Sequence, residues 1–379
     1  MGVRNRAFKT GKATIQLIYT ATPRTYKRAG FKAAGQPLVI EEVPLVAPGP
    51  NEILVKVEAC GVCFSDVFAQ NNVMGGGFPI VPGHEIVGRV AALGDRMSGW
   101  AVGDRIGGAW HGGHDGSCRA CRKGWYQMCD SQLINGVTKD GGYAEYCLLN
   151  PEAAVRVPAH LSAAKYAPTL CAGVTVFNSI RHMKVPVGET VAIQGLGGLG
   201  HLAIQYANKM GFRVVAISRG NDKEAFAKEL GAHEYNDSSK VNDVGLALRE
   251  LGGASLIVTT APSADVMKPL LKGLGILGKL LILSVPGELP IDTVVMLKYG
   301  ASVQVWPCGH AADSEDAIAF TELHRIDCRV EEFPLAKANE AFDKLHSLSM
   351  GNLIRVLTPT IAESMLKGTV RSRAVITME

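Results

Sequence analysis

Apolar and polar positions alternate in short runs through the first part of the chain. Between Gly35 and Pro158, β-branched runs such as Glu52–Val57 and Ile86–Val90 are separated by Gly and Pro. Short runs bounded by turn residues predict short strands joined by turns, as in a barrel-like domain. This part of the chain is therefore predicted to be β-rich.

The pattern changes after Pro186, where apolar runs alternate with helical segments. The predicted strands are Val191–Gln194, Arg213–Ile217, Leu256–Thr259, Lys279–Ser284 and Ser302–Trp306. The predicted helices are Leu199–Met210, ending at Gly211, and a segment from Asn221 or Asp222 to Leu230, ending at Gly231. Alternating strands and helices predict an α/β unit with a doubly wound parallel sheet, covered on both faces.

Length and composition agree with two domains and exclude some classes of partner. A chain of 379 residues exceeds the usual size of one domain, and 47% hydrophobic residues suffice for a large core. The net charge is only +4, and no dense run of Lys and Arg alternates with aromatic residues, so no nucleic-acid partner is expected. The most apolar segment, Lys268–Val285, is interrupted by Lys272 and Lys279, so no membrane span is expected.

The beginning of the chain is basic. Eight Lys and Arg residues precede Glu41, the first acidic residue, and residues 1–25 are predicted to be a basic extension. A mitochondrial transit peptide would contain serine and a clear amphipathic repeat, and residues 1–25 have neither. A cytoplasmic location is therefore expected, with the mitochondrial matrix as the alternative.

A glycine-rich turn follows the first strand of the α/β unit and opens its first helix. The residues predicted to contact a dinucleotide are Gly195, Gly197, Gly198, Leu199 and Gly200. The first glycine permits a tight turn, the second allows the backbone to approach a pyrophosphate, and the third lets the helix pack close to the sheet. The flanking strands and helix make this motif specific for a dinucleotide cofactor.

The end of the second strand bears on the choice of cofactor. An NAD enzyme usually has a carboxylate there for the ribose hydroxyls, whereas this chain has Ser218 and Arg219. An arginine at this position can bind a 2′-phosphate, so NADP is favoured over NAD. The alternative is that Arg219 is a solvated loop residue and that Asp222 or Glu224 reaches the ribose.

Three widely spaced residues form a candidate catalytic metal site. Each of them alone has an ordinary structural explanation: Cys63 and Cys171 as buried thiols, and His84 as a loop histidine. Together they provide two thiolates and an imidazole, which with an open fourth position make the donor set of a catalytic zinc.

A second group of candidate ligands is closely spaced and is predicted to hold a structural zinc. Its members are Asp115, Cys118, Cys121 and Cys129. Asp115 supplies an oxygen where a fourth thiolate is more usual, and His111 and His114 compete for that place.

These residues, in this order, resemble the zinc-containing medium-chain alcohol dehydrogenases. The resemblance extends from about Tyr26 to the C-terminus and is carried by five motifs besides the thiol group. They are Gly-Val-Cys63-x-Ser65-Asp66, Gly83-His84-Glu85, Gly141-Gly-Tyr143-Ala-Glu145-Tyr146, Cys171-Ala-Gly-Val-Thr175 and Gly195-Leu-Gly-Gly-Leu-Gly200.

The resemblance implies a GroES-like catalytic domain over residues 26–171, completed by residues 311–379, and a Rossmann cofactor domain over residues 172–310. It also implies a homodimer or homotetramer. The family would use zinc as a Lewis acid while a hydride passes between a nicotinamide and an alcohol, aldehyde or ketone.

Residue roles also follow from the resemblance. Ser65 would move the alcohol proton, unless it merely caps the local backbone, and Asp66 would orient His84. Glu85 would contact the metal or a neighbouring cation, and Thr175 would lie near the nicotinamide.

The chain departs from the family pattern at three places. Asp115 replaces a cysteine, and Asn71 stands where many members have the outer histidine of a proton relay. Two C-terminal segments resemble the closing helix and strand, and the one from Met365 to Val375 is favoured, which makes Asp343–Glu363 an insertion.

Other functions remain as alternatives. A polyol dehydrogenase of the same fold commonly has Glu as the third protein ligand, so Cys171 argues against it. The zinc-free quinone or enoyl reductase branch lacks the ligands found here. A non-catalytic protein that binds zinc and nucleotide is the alternative from another class.

Overall fold

The structure is a computed structural model that describes residues 23–346 and 372–378. The strands are β1 Thr25–Gly30, β2 Val39–Pro44, β3 Ile53–Gly61, β4 Ile86–Leu93, β5 Arg105–Gly108, β6 His111–Gly113, β7 Leu133–Ile134, β8 Tyr146–Leu149, β9 Ala154–Arg156, β10 Thr190–Gln194, β11 Arg213–Ser218, β12 Glu234–Asp237, β13 Ala254–Thr259, β14 Leu274–Ile282, β15 Ser302–Val305, β16 Val330–Pro334 and β17 Arg373–Thr377. The helices are α1 Asp66–Gln70, α2 Ala163–Tyr166, α3 Ala172–His182, α4 Gly200–Lys209, α5 Glu224–Glu229, α6 Val244–Glu250, α7 Ala264–Met267, α8 Thr293–Tyr299, α9 Ala311–Leu323 and α10 Ala338–His346.

A seven-stranded sheet contains the first part of the chain and its end. Its order is β16-β17-β3-β4-β5-β9, and β8 also pairs with β3. Strand β17 is antiparallel to β3, with Ile376 opposite Cys60, and parallel to β16. The last described strand therefore returns to the β-rich part that the sequence predicts, and it carries Arg373 toward Cys63.

The second large sheet is parallel, with the order β12-β11-β10-β13-β14-β15. Consecutive residues of its strands enter different cores: Ile193 and Val214 pack in one, Ala192 and Val215 in the other. Both faces of a parallel sheet are buried in this way when helices cover them. The α/β fold class with a GroES-like unit and a Rossmann-type sheet is confirmed.

Two local predictions need correction. Residues Asn221–Lys223 form a 3₁₀ turn, and the α-helix begins only at Glu224 and ends at Glu229. No side-chain capping bond is made at either start, which accounts for the tighter first turn. Strand β14 begins at Leu274, earlier than the predicted Lys279, because Leu274 already pairs with Ala254 of β13 ahead of a shift in register.

The C-terminal prediction is partly tested. Asp343–His346 forms the last turn of α10, which Phe342 packs on the β-rich core. The rest of the stretch to Glu363, and the N-terminal residues 1–22, lie outside the described residues. Among the residues that are described, no helix has the length and apolarity needed to cross a bilayer.

Candidate active site

Cys63 lies in the short loop that joins β3 to α1. Its backbone N–H donates a 2.9 Å hydrogen bond to Oδ2 of Asp66, the first residue of α1. The bond closes a tight turn and keeps the thiol, which is 4% exposed, in the interior. His84 lies two residues before β4, and Cys171 immediately precedes α3. The three predicted ligands thus come from three separate loops, which precede α1, β4 and α3.

The structure brings these side chains together with Glu85. The sulfur atoms of Cys63 and Cys171 are 3.7 Å apart. One ligand atom from each of Cys63, His84, Glu85 and Cys171 lies within 4.8 Å of all the others. This spacing suits a single metal ion bound by sulfur, nitrogen and oxygen.

The protonation chemistry of the group fits a bound cation. Neither ring nitrogen of His84 makes a hydrogen bond with a described residue, although the side chain is fully buried. Burial lowers the pKa of His84, but the Cys63 thiolate and the Asp66 carboxylate outweigh it and raise the pKa to about 10. Hydrogen bonding from Cys171 holds the pKa of Cys63 well below its usual range. A thiolate at Cys63 is the form that binds a metal, and metal binding would displace the proton from His84.

Asp66 connects His84 of the metal group to Tyr143. Its Oδ1 atom lies 3.3 Å from Nδ1 of His84, and both side chains are fully buried. Its Oδ2 atom accepts a 2.7 Å hydrogen bond from the hydroxyl of Tyr143. Trp110 packs edge-on against the His84 ring, with the ring centroids 4.9 Å apart. The imidazole is therefore held on two sides.

Sequence reasoning did not assign roles to Tyr143 or Trp110. Tyr143 lies within the family-like motif Gly141-Gly-Tyr143-Ala-Glu145-Tyr146, so the sequence does carry a signal for it. Trp110 carried no motif of its own. Its contact with His84 is a packing contact between loops that are not adjacent in the chain.

Glu85 forms a fully buried ion pair with Arg373 of β17. Burial raises the pKa of Glu85 to about 7, against the lowering effect of Arg373. The other carboxylate oxygen, Oε2, has no hydrogen-bond partner among the described residues. Glu85 therefore contacts a neighbouring cation and also stands within the ligand group. Arg373 was not predicted as a site residue, because 288 positions separate it from Glu85.

Ser65 is the residue before α1, and its side chain is partly exposed. Its hydroxyl makes no capping hydrogen bond to that helix. The capping alternative therefore has no support in the described contacts.

The second ligand group also converges. One ligand atom from each of Asp115, Cys118, Cys121 and Cys129 lies within 4.8 Å of the others. Asp115 Oδ1 accepts 2.6 and 2.8 Å bonds from the N–H groups of Ser117 and Cys118, which lower its pKa. Its Oδ2 lies 3.2 Å from the sulfur of Cys129. Asp115 thus faces the thiols.

The competing histidines lie elsewhere. His111 and His114 contact each other, with Nε2 and Nδ1 3.2 Å apart, and His114 stacks on Tyr126. Neither histidine belongs to a ligand group among the described residues.

The glycine-rich turn joins β10 to α4. Gly195 has a φ of +95°, which a side chain would disfavour, and a Cβ at Gly200 would overlap the carbonyl oxygen of Gly195. At Gly197 the space that a Cβ would occupy is open, as an approaching pyrophosphate requires. A Cβ at Gly198 would lie 2.9 Å from Cδ of Arg373. Leu199 is the residue before α4. The turn therefore lies against the arginine that pairs with Glu85.

A carboxylate that the sequence did not reveal lies beside the end of β11, on the neighbouring strand β12. Ser218 is opposite Asp237 of β12 in the parallel register. Asp237 Oδ1 accepts 2.8 and 3.0 Å hydrogen bonds from the N–H groups of Gly220 and Ser239. Arg219 is exposed, and no described residue pairs with it. Only the strand pairing brings Asp237 to this place.

Thr175 lies one turn into α3, with its N–H donating a 2.9 Å bond to the carbonyl of Cys171. Burial raises the pKa of Cys308 to about 11 against the lowering effect of the Thr175 side chain, and the Cys308 carbonyl accepts a 2.9 Å bond from Asn178 Nδ2. Cys308 follows β15 and has a φ of +21°. Helix α3 therefore joins the metal group to the C-terminal edge of the parallel sheet, where cofactors bind in such folds.

Comparison with known proteins agrees with this geometry. Residues 49–159 match the model of the alcohol dehydrogenase GroES-like domain, and residues 198–322 match that of the zinc-binding dehydrogenases. Alcohol dehydrogenase patD of Penicillium expansum is 60% identical over 95% of this chain and 99% of its own length. The chain belongs to the zinc-containing medium-chain alcohol dehydrogenases.

Solved structures extend the comparison to the fold of this alcohol dehydrogenase. Acetophenone reductase from Geotrichum candidum in complex with NAD matches with a TM-score of 0.77 and 26% identity, over 94% of this chain and 98% of the other. The Helicobacter pylori protein CAD complexed with NADP(H) matches with a TM-score of 0.76 and 21% identity, over 93% and 98%. The second likeness concerns the fold alone. The protein is therefore an oxidoreductase of this family.

Proposed function

We propose that this dehydrogenase transfers a hydride between NADP(H) or NAD(H) and a primary or secondary alcohol, or the matching aldehyde or ketone. The observation that carries the proposal is the group of Cys63, His84 and Cys171, with a fully buried imidazole whose Nε2 has no hydrogen-bond partner among the described residues. When bound, zinc polarises the substrate oxygen and the nicotinamide accepts or supplies the hydride.

The protein residues around the group have separate tasks. Asp66 faces Nδ1 of His84, which leaves Nε2 as the nitrogen directed to the metal. Ser65 Oγ would accept the proton of the alcohol while its own hydroxyl proton passes to solvent, which its partly exposed side chain reaches. Trp110 excludes water from one side of His84. Asp66 thus orients the ring, Ser65 moves the proton, and Trp110 keeps water from the ring.

Glu85 and Arg373 link the metal group to the cofactor loop. The guanidinium neutralises the buried carboxylate and lies beside Gly198 of the glycine-rich turn. An arginine in this place also contributes positive charge for a pyrophosphate. Gly195, Gly197, Gly198, Leu199 and Gly200 would hold that pyrophosphate, and Thr175 would lie near the nicotinamide.

NADP is the cofactor that we favour. Arg219 is exposed at the end of β11 and offers a planar set of donors for a 2′-phosphate, and Ser218 brings no charge. Asp237 accepts hydrogen bonds from the N–H of Gly220, in the loop after β11, and from the N–H of Ser239. The structural neighbours include complexes with NAD and with NADP(H), so the fold accepts either dinucleotide.

A second zinc ion has a structural role in this proposal. The four ligands Asp115, Cys118, Cys121 and Cys129 form a closed set, which is typical of zinc sites that stabilise a loop. Two zinc ions per chain are therefore proposed.

We also propose two domains: a catalytic domain of residues 26–171 completed by 311–379, and a cofactor domain of residues 172–310.

A homodimer or homotetramer is proposed as well. Strand β15 is an edge of the parallel sheet, and nearby apolar side chains are exposed, among them Ile276 at 81% and Leu297 at 86%. Apolar residues at an open edge support pairing with a second copy. Analytical ultracentrifugation tests this, and a monomer at micromolar concentration would contradict it.

The function is tested by metal analysis together with turnover. Consumption of NADPH and of NADH should be followed with panels of aldehydes, ketones and polyol oxidation products. The proposal predicts about two zinc equivalents and turnover of an aldehyde or ketone. Nucleotide binding without turnover of any compound would favour the non-catalytic alternative, and a polyol preference would favour the polyol branch.

A further inference from the structure

A cavity of about 250 Å³ lies apart from the metal groups, between strand β8, the β1–β2 ribbon and the segment 139–144. Its apolar walls include Leu54 and Leu148, and its polar walls include Tyr26, Lys139 and Cys147. The volume exceeds that of a few water molecules and suits a small organic molecule with one ring.

One polar group in this cavity lacks a partner. The ammonium nitrogen of Lys139 is buried, and no described residue accepts a hydrogen bond from it. Burial lowers the pKa of Lys139 and outweighs the opposing effect of nearby carboxylates, among them Glu52, Glu152 and Asp140. A buried charge without an acceptor is unfavourable, so an acceptor supplied from outside would be bound favourably.

The acidic residues of the cavity already have other partners. Glu52 Oε2 accepts a 2.8 Å hydrogen bond from the N–H of Gly49. Asp140 Oδ1 accepts a 2.9 Å bond from the N–H of Val81, and its Oδ2 accepts one of 3.4 Å from Arg28. Burial raises the pKa of Cys147 to about 12, so its thiol stays neutral. Neither acid is within hydrogen-bond reach of the lysine.

We propose that this cavity binds a small organic monocarboxylate, whose carboxylate pairs with Lys139 and whose apolar body contacts Leu54 and Leu148. A charge-assisted hydrogen bond gives the strongest pairing for an ammonium, and the apolar walls select a hydrocarbon body. None of these residues belongs to the catalytic group, so the proposal does not rest on the proposed function.

The site is connected to the catalytic group through the backbone. Gly141 donates a 2.7 Å hydrogen bond to the carbonyl of Val81, and both residues line the cavity. The next backbone bonds run from Gly142 and Tyr143 to Gly83 and Pro82, at 2.9 and 3.0 Å. A ligand in the cavity therefore lies against the ladder that precedes His84.

The probe is 4-bromobenzoate, because its bromine can be located by anomalous scattering in crystals of the full-length protein. The expected result is a bromine peak in the cavity and a carboxylate within 3.2 Å of Lys139 Nζ. Bromine only at the metal group or on the surface would overturn the proposal. The proposal would also be overturned if, at a saturating concentration of 4-bromobenzoate, ordered water or another part of the chain filled the cavity.

Calorimetric titration of the probe tests the role of the charge. Lys139→Met should weaken binding at least about tenfold, the usual minimum for losing a charged hydrogen bond. Leu148→Trp should weaken it by filling the cavity while leaving the lysine in place. The matched control is Lys337→Met, which removes an exposed lysine paired with Glu340 at 3.3 Å and should leave binding unchanged. Unchanged affinity in a folded Lys139→Met protein, or in Leu148→Trp if the first variant fails to fold, would contradict the assignment.

Discussion

The hydroxyl of Tyr143 donates a 2.7 Å hydrogen bond to Oδ2 of Asp66, whose Oδ1 lies 3.3 Å from the His84 ring. All three side chains are fully buried. The same Oδ2 atom also accepts the N–H of Cys63. One carboxylate therefore orients two of the three predicted ligands, and Tyr143 fixes that carboxylate in turn.

Replacement of Tyr143 by Phe should lower zinc affinity at the catalytic group. Removing a partner of a metal-orienting carboxylate typically costs about 10- to 100-fold in metal affinity or activity. Competition with a zinc chelator measures this affinity, with kcat as a second readout. Tyr166→Phe, which removes a hydroxyl on α2, is the control. Equal zinc retention in Tyr143→Phe and wild type would show that the hydrogen bond has no role in positioning.

Asp115 should determine whether the second zinc is retained. Asp115→Ala leaves three thiols, and we expect elemental analysis to fall from about two zinc equivalents to about one. Asp115→Cys restores a four-thiolate set and should retain both. His114→Ala, next to Asp115 in the chain, is the control and should keep both ions. Two equivalents in Asp115→Ala would remove the aspartate from the ligand set.

Much of this arrangement follows from the sequence. The glycine-rich turn, the strand before it and the helix after it are contiguous in the chain, so residue type and periodicity report them, and they are found where predicted. The two ligand groups also converge as spacing and residue type suggest.

The remainder depends on contacts between distant segments. Arg373 reaches Glu85 only because β17 pairs with β3, and Asp237 approaches Ser218 only through the β11–β12 register. Trp110 lies against His84 through packing between loops. Neither periodicity nor spacing reports such pairs, because register is set by the tertiary structure.

Cofactor preference should depend on Arg219. Arg219→Ala should reduce kcat/KM with NADPH by about 10- to 100-fold and change that with NADH little, since a charged hydrogen bond to the 2′-phosphate is lost. Ser218→Asp should shift preference further toward NADH by like-charge repulsion. The ratio of kcat/KM for the two cofactors is the measurement. The control is Arg213→Ala, at the opposite end of β11. A wild-type preference for NADH would refute the phosphate-pocket assignment.

His111 should make the protein sensitive to acid. Burial lowers its pKa from 6.5 to about 3, so the folded state keeps it neutral while the unfolded state protonates it below pH 6.5. The contribution of neutral His111 to the free energy of unfolding is complete above pH 6.5 and is lost as the pH falls toward 3. Between pH 7.5 and 5.5 the loss is about 1.4 kcal/mol in the free energy of unfolding.

His111→Asn removes the titrating group, so its free energy of unfolding should fall less than that of wild type over this interval. Urea denaturation at both pH values measures the difference. His160→Asn, at a histidine whose side chain is 67% exposed, is the control. A pH dependence in His111→Asn equal to that of wild type would show that His111 is not held neutral.

The central claim is that a metal ion at Cys63, His84 and Cys171 is required for turnover. The most direct measurement is kcat of His84→Ala with the cofactor and alcohol or aldehyde that the wild-type enzyme uses, at saturating zinc and with nucleotide affinity measured in parallel. The account predicts loss of turnover with nucleotide affinity unchanged, because the glycine-rich turn belongs to the other sheet. Near-normal turnover in the folded His84→Ala enzyme would contradict it.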